Sequence, residues 1–315
     1  MELRLSSISV DLDSLGHYCR IQGLTESILD ERARSIVWST AIPRFLELFA
    51  QVKTPATFFV IASDLSDGAL APTLEAAAAA GVELANHSHS HDYALSRRPR
   101  EEIEADLRQA HDAIVASTGI APVGFRAPGY TLSPAMLQAA VRLGYRYDSS
   151  AFPAAPYYLA KAGVMAALSA IGRPSRAILD SPSVLRAPRV PYRPSLTAPY
   201  ERGTAPIVEL PMAVTPLARV PFIGTFATTM PWPLVEASFR RLRHGPHVNF
   251  ELHAIDVLDV SDGIPAALAK QQRDVNVPAK EKVDRLRTLF TWLGDDRERV
   301  TLAEAARQLE GRLDG

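Results

Sequence analysis

The chain has 315 residues, a hydrophobic fraction of 47% and a formal charge of −1, so it can build a large core and gives no reason to expect nucleic acid as a partner. Its one cysteine, Cys19, excludes an intramolecular disulfide and a cysteine-rich zinc ribbon. No apolar core follows Met1-Glu2-Leu3-Arg4, and no run of about 18 uncharged apolar residues occurs, so neither a secretory leader nor a transmembrane helix is expected and the predicted compartment is the cytoplasm.

Strand and helix signals alternate along the chain. Residues 6–11 read as a strand and 34–52 as an amphipathic helix. The apolar run 55–61 is a buried strand, and the alanine-rich helix 70–80 ends at Gly81, a residue favoured just past a helix. Strand 82–86, helix 101–117, strand 123–126, helix 134–143 and strand 145–148 follow. After an interruption come strand 207–210, helix 234–243, strand 248–252, helix 281–293 and a last strand–helix pair from Val300. Repeated β–α units predict a largely parallel sheet, and this many predict an α/β fold: a distorted (β/α) barrel with fewer than eight regular strands, one domain over 1–315. In such barrels chemistry gathers at the C-terminal strand ends.

The interruption, 153–206, differs in composition. Twelve of the 24 prolines lie between Pro153 and Pro221, so regular structure there is broken. Residues 157–172 are apolar and predicted helical. Between Tyr157 and Arg202 there are seven basic residues (Lys161, Arg173, Arg176, Arg186, Arg189, Arg193 and Arg202) against two acidic (Asp180 and Glu201), a net of +5. The segment reads as an inserted cap or loop over a barrel mouth. A cap facing an anionic substrate, or a surface touching an anionic membrane or lipid carrier, is the functional alternative.

The pentad His87-Ser88-His89-Ser90-His91 closes the strand 82–86. His87 and His91, four apart, share a face if the chain turns helical there. Such a pair alone is common on solvated helices, and Asp-x-Asp alone is commoner still at strand ends. Their combination says more. Asp11 and Asp13 end the first strand on one side of it, and with the histidines they can build one metal centre plus a spare carboxylate. Polar residues follow apolar strands again at Arg126-Ala127-Pro128-Gly129-Tyr130, at Asp148-Ser149-Ser150 and at Glu251-Leu252-His253. His17, His89, His111, His244 and His247 lack that setting and are expected to be structural or solvent-exposed.

In order and spacing these segments resemble the five motifs of the polysaccharide deacetylase, or NodB-homology, family: an acidic pair, a His-Ser/Thr-x₂-His, an Arg-x-Pro, an Asp-led segment and a Leu-x-His or close variant. Pro55–Val60 is similar to that family's Ala-Thr-Phe-Phe strand. The resemblance covers about 6–310 apart from 153–206. Asp11-Leu12-Asp13, in place of two adjacent aspartates, resembles the branch that holds allantoinase-like proteins, some peptidoglycan deacetylases and deformylases of lipid-linked amino sugars.

The resemblance implies a metal-dependent hydrolase of C–N amide bonds, foremost an N-deacetylase of an amino sugar or glycan. Its alternatives are a deformylase or deacetylase of a lipid-linked or phosphorylated amino sugar, and an amidase of a small non-sugar substrate. One divalent ion, zinc foremost and otherwise cobalt, nickel or manganese, is expected on Asp13, His87 and His91. Asp11 is expected as general base, Arg126 as its partner, and His253 as general acid with Asp148 as partner of its imidazolium. The backbone N–H near Tyr130 is expected to help hold an oxyanion. Homo-oligomerisation is compatible with the sequence. No Gly-x-Ser-x-Gly elbow, His-Glu-x-x-His helix or Gly-rich nucleotide loop offers a rival chemistry. The remaining alternative is a barrel that binds metal or glycan without turning anything over.

Overall fold

The structure, a computed structural model, describes residues 3–170 and 178–313. Eight strands form one parallel sheet: β1 Leu5–Asp11, β2 Thr57–Val60, β3 Glu83–Asn86, β4 Gly124–Phe125, β5 Tyr147–Asp148, β6 Val208–Glu209, β7 His247–His253 and β8 Glu298–Arg299. Their order is β6-β5-β4-β3-β2-β1-β7. β7 pairs along one whole edge of β1, while β8 and β2 divide the other edge between its start and its end. Past β6, the parallel bridge Met212↔Asn249 joins the chain to β7, so the sheet curls into a distorted barrel. Four strands have only two residues, which is the irregularity the sequence predicts.

The two longest strands show why the sheet curls around a polar interior. β1 alternates Ser7, Ser9 and Asp11 with Ile8 and Val10, and every residue of it is buried. β7 alternates His247, Asn249, Glu251 and His253 with Val248, Phe250 and Leu252. Period-two geometry sends each set to opposite faces. The apolar faces meet the outer helices, where the Phe49 ring of helix Ile42–Val52 lies 6.1 Å from Phe58 and 5.9 Å from Phe290. The polar faces meet one another: Ser7 with His247 at 2.9 Å, Ser9 donating to Asn249 at 3.2 Å, and Asn249 donating to Ser149 at 2.8 Å. Buried polar atoms must find partners, and here neighbouring strands supply them.

Some local expectations change. The predicted helix 34–52 is helix Glu31–Ile36, a widened turn at Val37–Ala41 and then helix Ile42–Val52. Pro43 has no N–H to give and its ring crowds the preceding turn, so the ladder widens there. The short helices Leu15–Ile21 and Gly224–Thr229 carry too little periodicity to predict. Within the insertion, helix Ala155–Ala170 matches the apolar run. Gly172, Arg173 and Arg176 lie outside the described residues. Arg193 reaches the Ala205 carbonyl at 3.3 Å and Glu310 at 3.2 Å, so it is tied to the barrel. Among the described residues no helix is long and apolar enough to cross a membrane.

Gly124 of β4 leaves no room for a side chain: a Cβ there would stand 1.9 Å from the Tyr147 ring. That ring is fully buried and its hydroxyl donates to Glu83 at 2.7 Å. Gly124→Ala is therefore predicted to destabilise the fold by about 1–3 kcal/mol, the usual cost of overpacking, in urea unfolding followed by circular dichroism. An unchanged midpoint would mean that Tyr147 moves without cost.

Candidate active site

The C-terminal ends of β1, β3, β4 and β7 converge on one group of side chains. Asp11 ends β1, and Asp13 follows it on the same side. His87 and His91 follow β3, but not on a helix. The loop turns because Ser88 and His91 adopt left-handed backbone angles, φ 67° and 49°. Such angles cost a non-glycine residue free energy, so the surroundings must hold them. Ser88 N–H donates to Asn86 Oδ1 at 2.7 Å, His91 N–H donates to Ser88 Oγ at 3.0 Å, and Asp106 accepts from the N–H groups of His89 and Ser90 at 2.8 and 3.1 Å. The loop thus brings the imidazoles together by turning back on itself.

His91 Nε2 lies 3.2 Å from His87 Nε2 and 3.4 Å from Asp13 Oδ1, and His87 Nε2 lies 3.7 Å from the same oxygen. Ligands at about 2.0–2.1 Å around a tetrahedral zinc stand roughly 3.3–3.4 Å apart, so the three atoms have the spacing of a divalent-metal face. Two further observations agree. Asp13 Oδ1 is buried with no hydrogen-bond partner among the described residues. His87 Nδ1 lies 2.8 Å from the Arg126 carbonyl, which puts the ring proton on Nδ1 and frees Nε2. Burial, then His17 and His87, hold His91 well below the ordinary imidazole range, so it is neutral and can donate a lone pair. Burial pushes Asp13 up against the imidazoles around it, the mark of a carboxylate short of cationic company.

Asp11, Glu251 and His253 form a second cluster, in which Asp11 Oδ1 is held by Arg126 and Glu251 Oε1 by His253. Arg126 Nη1 donates to Asp11 Oδ1 at 2.5 Å, Nη2 to Ser9 and Ser149 hydroxyls at 2.9 and 2.8 Å, and Nε to the Ser149 carbonyl at 2.9 Å. Burial opposes the Asp11 carboxylate, yet Arg126, His87 and His253 outweigh it and hold its pKa below the usual range. Its Oδ2 has no hydrogen-bond partner among the described residues and stands 3.7 Å from His87 Nε2. His253 Nδ1 lies 3.0 Å from Glu251 Oε1, and its Nε2 lies 3.1 Å from the Tyr130 hydroxyl, which donates to the same Glu251 oxygen at 3.0 Å. Burial alone would lower the His253 pKa, but Glu251, Asp13 and Asp11 outweigh it and raise it to about 9.

Two expected roles change with these positions. Asp148 does not meet His253: it sits on β5 opposite Glu209 of β6 and accepts from Ser150 Oγ at 2.7 Å. Burial pushes both carboxyls up, Glu209 far above its ordinary value with Asp148 adding to it, as two acids in one dry place must share a proton. The partner of His253 is Glu251. The Tyr130 backbone N–H is engaged by the Ala127 carbonyl at 3.0 Å, so what Tyr130 offers the site is its hydroxyl. Glu251 has a sequence signal, the polar alternation of β7; Asp106 and His17 have none. His17 is buried 4.6 Å from the His91 ring and paired with Asp64 at 3.2 Å, backing the metal face.

The family model for polysaccharide deacetylases matches residues 34–147. A curated peptidoglycan deacetylase of Helicobacter pylori is 26% identical over 157 residues, 49% of this chain and 53% of that protein, so the match spans about half of the relative's length. In overall fold the chain is similar to a Mycobacterium smegmatis protein assigned to the polysaccharide deacetylases, with a TM-score of 0.61 at 15% identity over 99% of this chain and 91% of that one. A Pseudomonas aeruginosa PAO1 protein with the same assignment gives a TM-score of 0.53 at 16% identity, covering 98% and 92%. The likeness to the polysaccharide deacetylases thus rests on residues 34–147 in sequence, and over nearly the whole chain it is a likeness of fold.

Because Glu251 stabilises the charged form of His253, removing its charge lowers the His253 pKa. Glu251→Gln is predicted to bring the imidazole titration, followed by NMR, down from its raised position towards or below the ordinary histidine value. No movement would show that Asp11 and Asp13 alone hold the imidazolium.

Proposed function

We propose that the protein is a metal-dependent hydrolase of C–N amide bonds whose reaction is removal of an N-acetyl group from an amino sugar. The observation that carries the reading is the ligand face of Asp13, His87 and His91 flanked by two polarised pairs, Asp11 with Arg126 and His253 with Glu251. The amino sugar is favoured by likeness to the Helicobacter pylori peptidoglycan deacetylase.

Two imidazoles and a carboxylate suit zinc best among common divalent ions, with cobalt, nickel and manganese able to substitute. An ion held there supplies Lewis acidity towards water and towards the amide carbonyl. The chain's own residues do the rest. Arg126 keeps Asp11 ionised and aimed, and Asp11 Oδ2, free of protein partners, accepts the proton of the attacking water. His253, protonated at neutral pH, gives its Nε2 proton to the departing nitrogen, so that the C–N bond breaks to a free amine and a carboxylate. Glu251 holds Nδ1–H of that ring, and the Tyr130 hydroxyl sets its tilt. A barrel that only bound metal or glycan would need neither base nor acid.

Acetate release from N-acetylated amino sugars is predicted to stop on chelation and return with zinc. Asp11→Asn should keep its zinc by elemental analysis while kcat falls about 10²–10⁴-fold, the usual contribution of a general base. Asp13→Asn, His87→Ala and His91→Ala should lose zinc itself. An empty site in Asp11→Asn with a full one in Asp13→Asn would exchange the roles of the two aspartates.

A further inference from the structure

The cavity above the reacting groups is not walled for a sugar. Its volume is about 290 Å³, at the lower edge of the roughly 300–1,000 Å³ typical of small-molecule sites, so it takes one small moiety rather than a length of polymer. Its floor is the set of metal-face and acid–base residues. Its walls are Ile223, Phe226 and Met230 together with the rings of Tyr93, Tyr130 and Tyr157. The rim is apolar as well, since Met230 and Tyr157 line the cavity and remain 39% and 37% exposed.

The polar atoms on these walls are largely committed. The Tyr130 hydroxyl serves Glu251 and His253, at 3.0 and 3.1 Å. Thr225 Oγ1 donates to Asp256 at 3.3 Å, and Thr229 Oγ1 to the Thr225 carbonyl at 2.5 Å. Among the described side chains of the walls, only the phenols of Tyr93 and Tyr157 are left to meet a hydroxyl group. A sugar ring brings several hydroxyls, and each one buried without a partner is a penalty. An apolar group loses its water there at a gain.

We propose that this cavity binds an aliphatic or aromatic substituent carried on the scissile amide, on its acyl or its nitrogen side, and that any hydroxyl-rich part of the substrate stays outside it. As a statement about substrate the inference rests on reading the site as an amide hydrolase; as a statement about binding it stands on the walls.

Two homologous series of neutral amides test it: N-methylalkanamides, which lengthen the acyl side, and N-alkylacetamides, which lengthen the nitrogen side. Each is titrated into zinc-loaded and chelator-treated protein by ligand-observed NMR beside N-acetylglucosamine, and amine release is followed in parallel. The Kd of one series should fall about fourfold per added methylene until the cavity is full, with or without zinc, and the series that does so identifies the side. Met230→Glu, at an exposed rim position, should flatten that slope. Acetylated sugars turned over with no dependence of Kd on chain length in either series overturn the apolar cavity alone. A slope in Kd without hydrolysis of any amide by the loaded protein supports the apolar cavity and overturns the hydrolase reading.

Discussion

The structure turns on a cation buried in the middle of the barrel. Arg126 has none of its surface exposed, yet it carries a full charge. Its guanidinium is spent on Asp11, Ser9 and both the hydroxyl and carbonyl of Ser149, and its plane lies 4.0 Å from the centre of the Phe59 ring. One side chain therefore binds β1 to β4 and to the residue after β5, and Ser149 hands the network on to Asn249 of β7. Taking one partner out of such a buried pair costs about 3–5 kcal/mol, because the other charge is stranded without water. Fold and chemistry share the same bond: the contact that holds the strands is the one that keeps Asp11 ionised.

That bond also explains why the barrel interior is polar. A guanidinium at its centre needs acceptors on every side, and short parallel strands can supply them only if alternate residues are hydrophilic. Ser9 and Ser149 accept from the guanidinium, and Asn249, bonded to both, and Ser7, bonded to His247, continue the polar face. The apolar packing lies between the other face of the sheet and the helices, in the aromatic layer of Phe45, Phe49, Phe58 and Phe290. The two layers divide the work, and the site stands where the polar one reaches the surface.

Much of this was legible in the sequence, because strands and their terminal polar residues are local signals. β1, β3 and β7, with Asp11, Asp13, His87, His91 and His253, follow from alternation and motif order. What depends on which strand lies beside which does not follow. Asp148 precedes His253 among the motifs, but β5 borders β4 and β6, so its carboxyl meets Glu209; β7 borders β1, and the imidazole finds Glu251 on its own strand. The histidine loop misled in another way. A four-residue spacing suggests a helix, whereas positive φ at Ser88 and His91, in a loop held by Asp106 of the helix that follows, achieves the same approach of the rings. Nothing at Asp106 in the sequence points to that task.

The barrel also has a seam. β7 and β1 share pairing along their whole length, but across the gap from β6 the sheet is joined through the bridge at Met212 and Asn249. The chain between that bridge and β7 carries Ile223, Phe226 and Met230, the walls over the site. That wall is no free appendage: Phe222 stands 5.2 Å from Phe250 of β7, and a Cβ on Gly224 would come within 2.1 Å of Asp256. Reshaping the cavity through this segment therefore means repacking the face of β7 that carries Phe250, so the wall and the closure of the sheet have to change together.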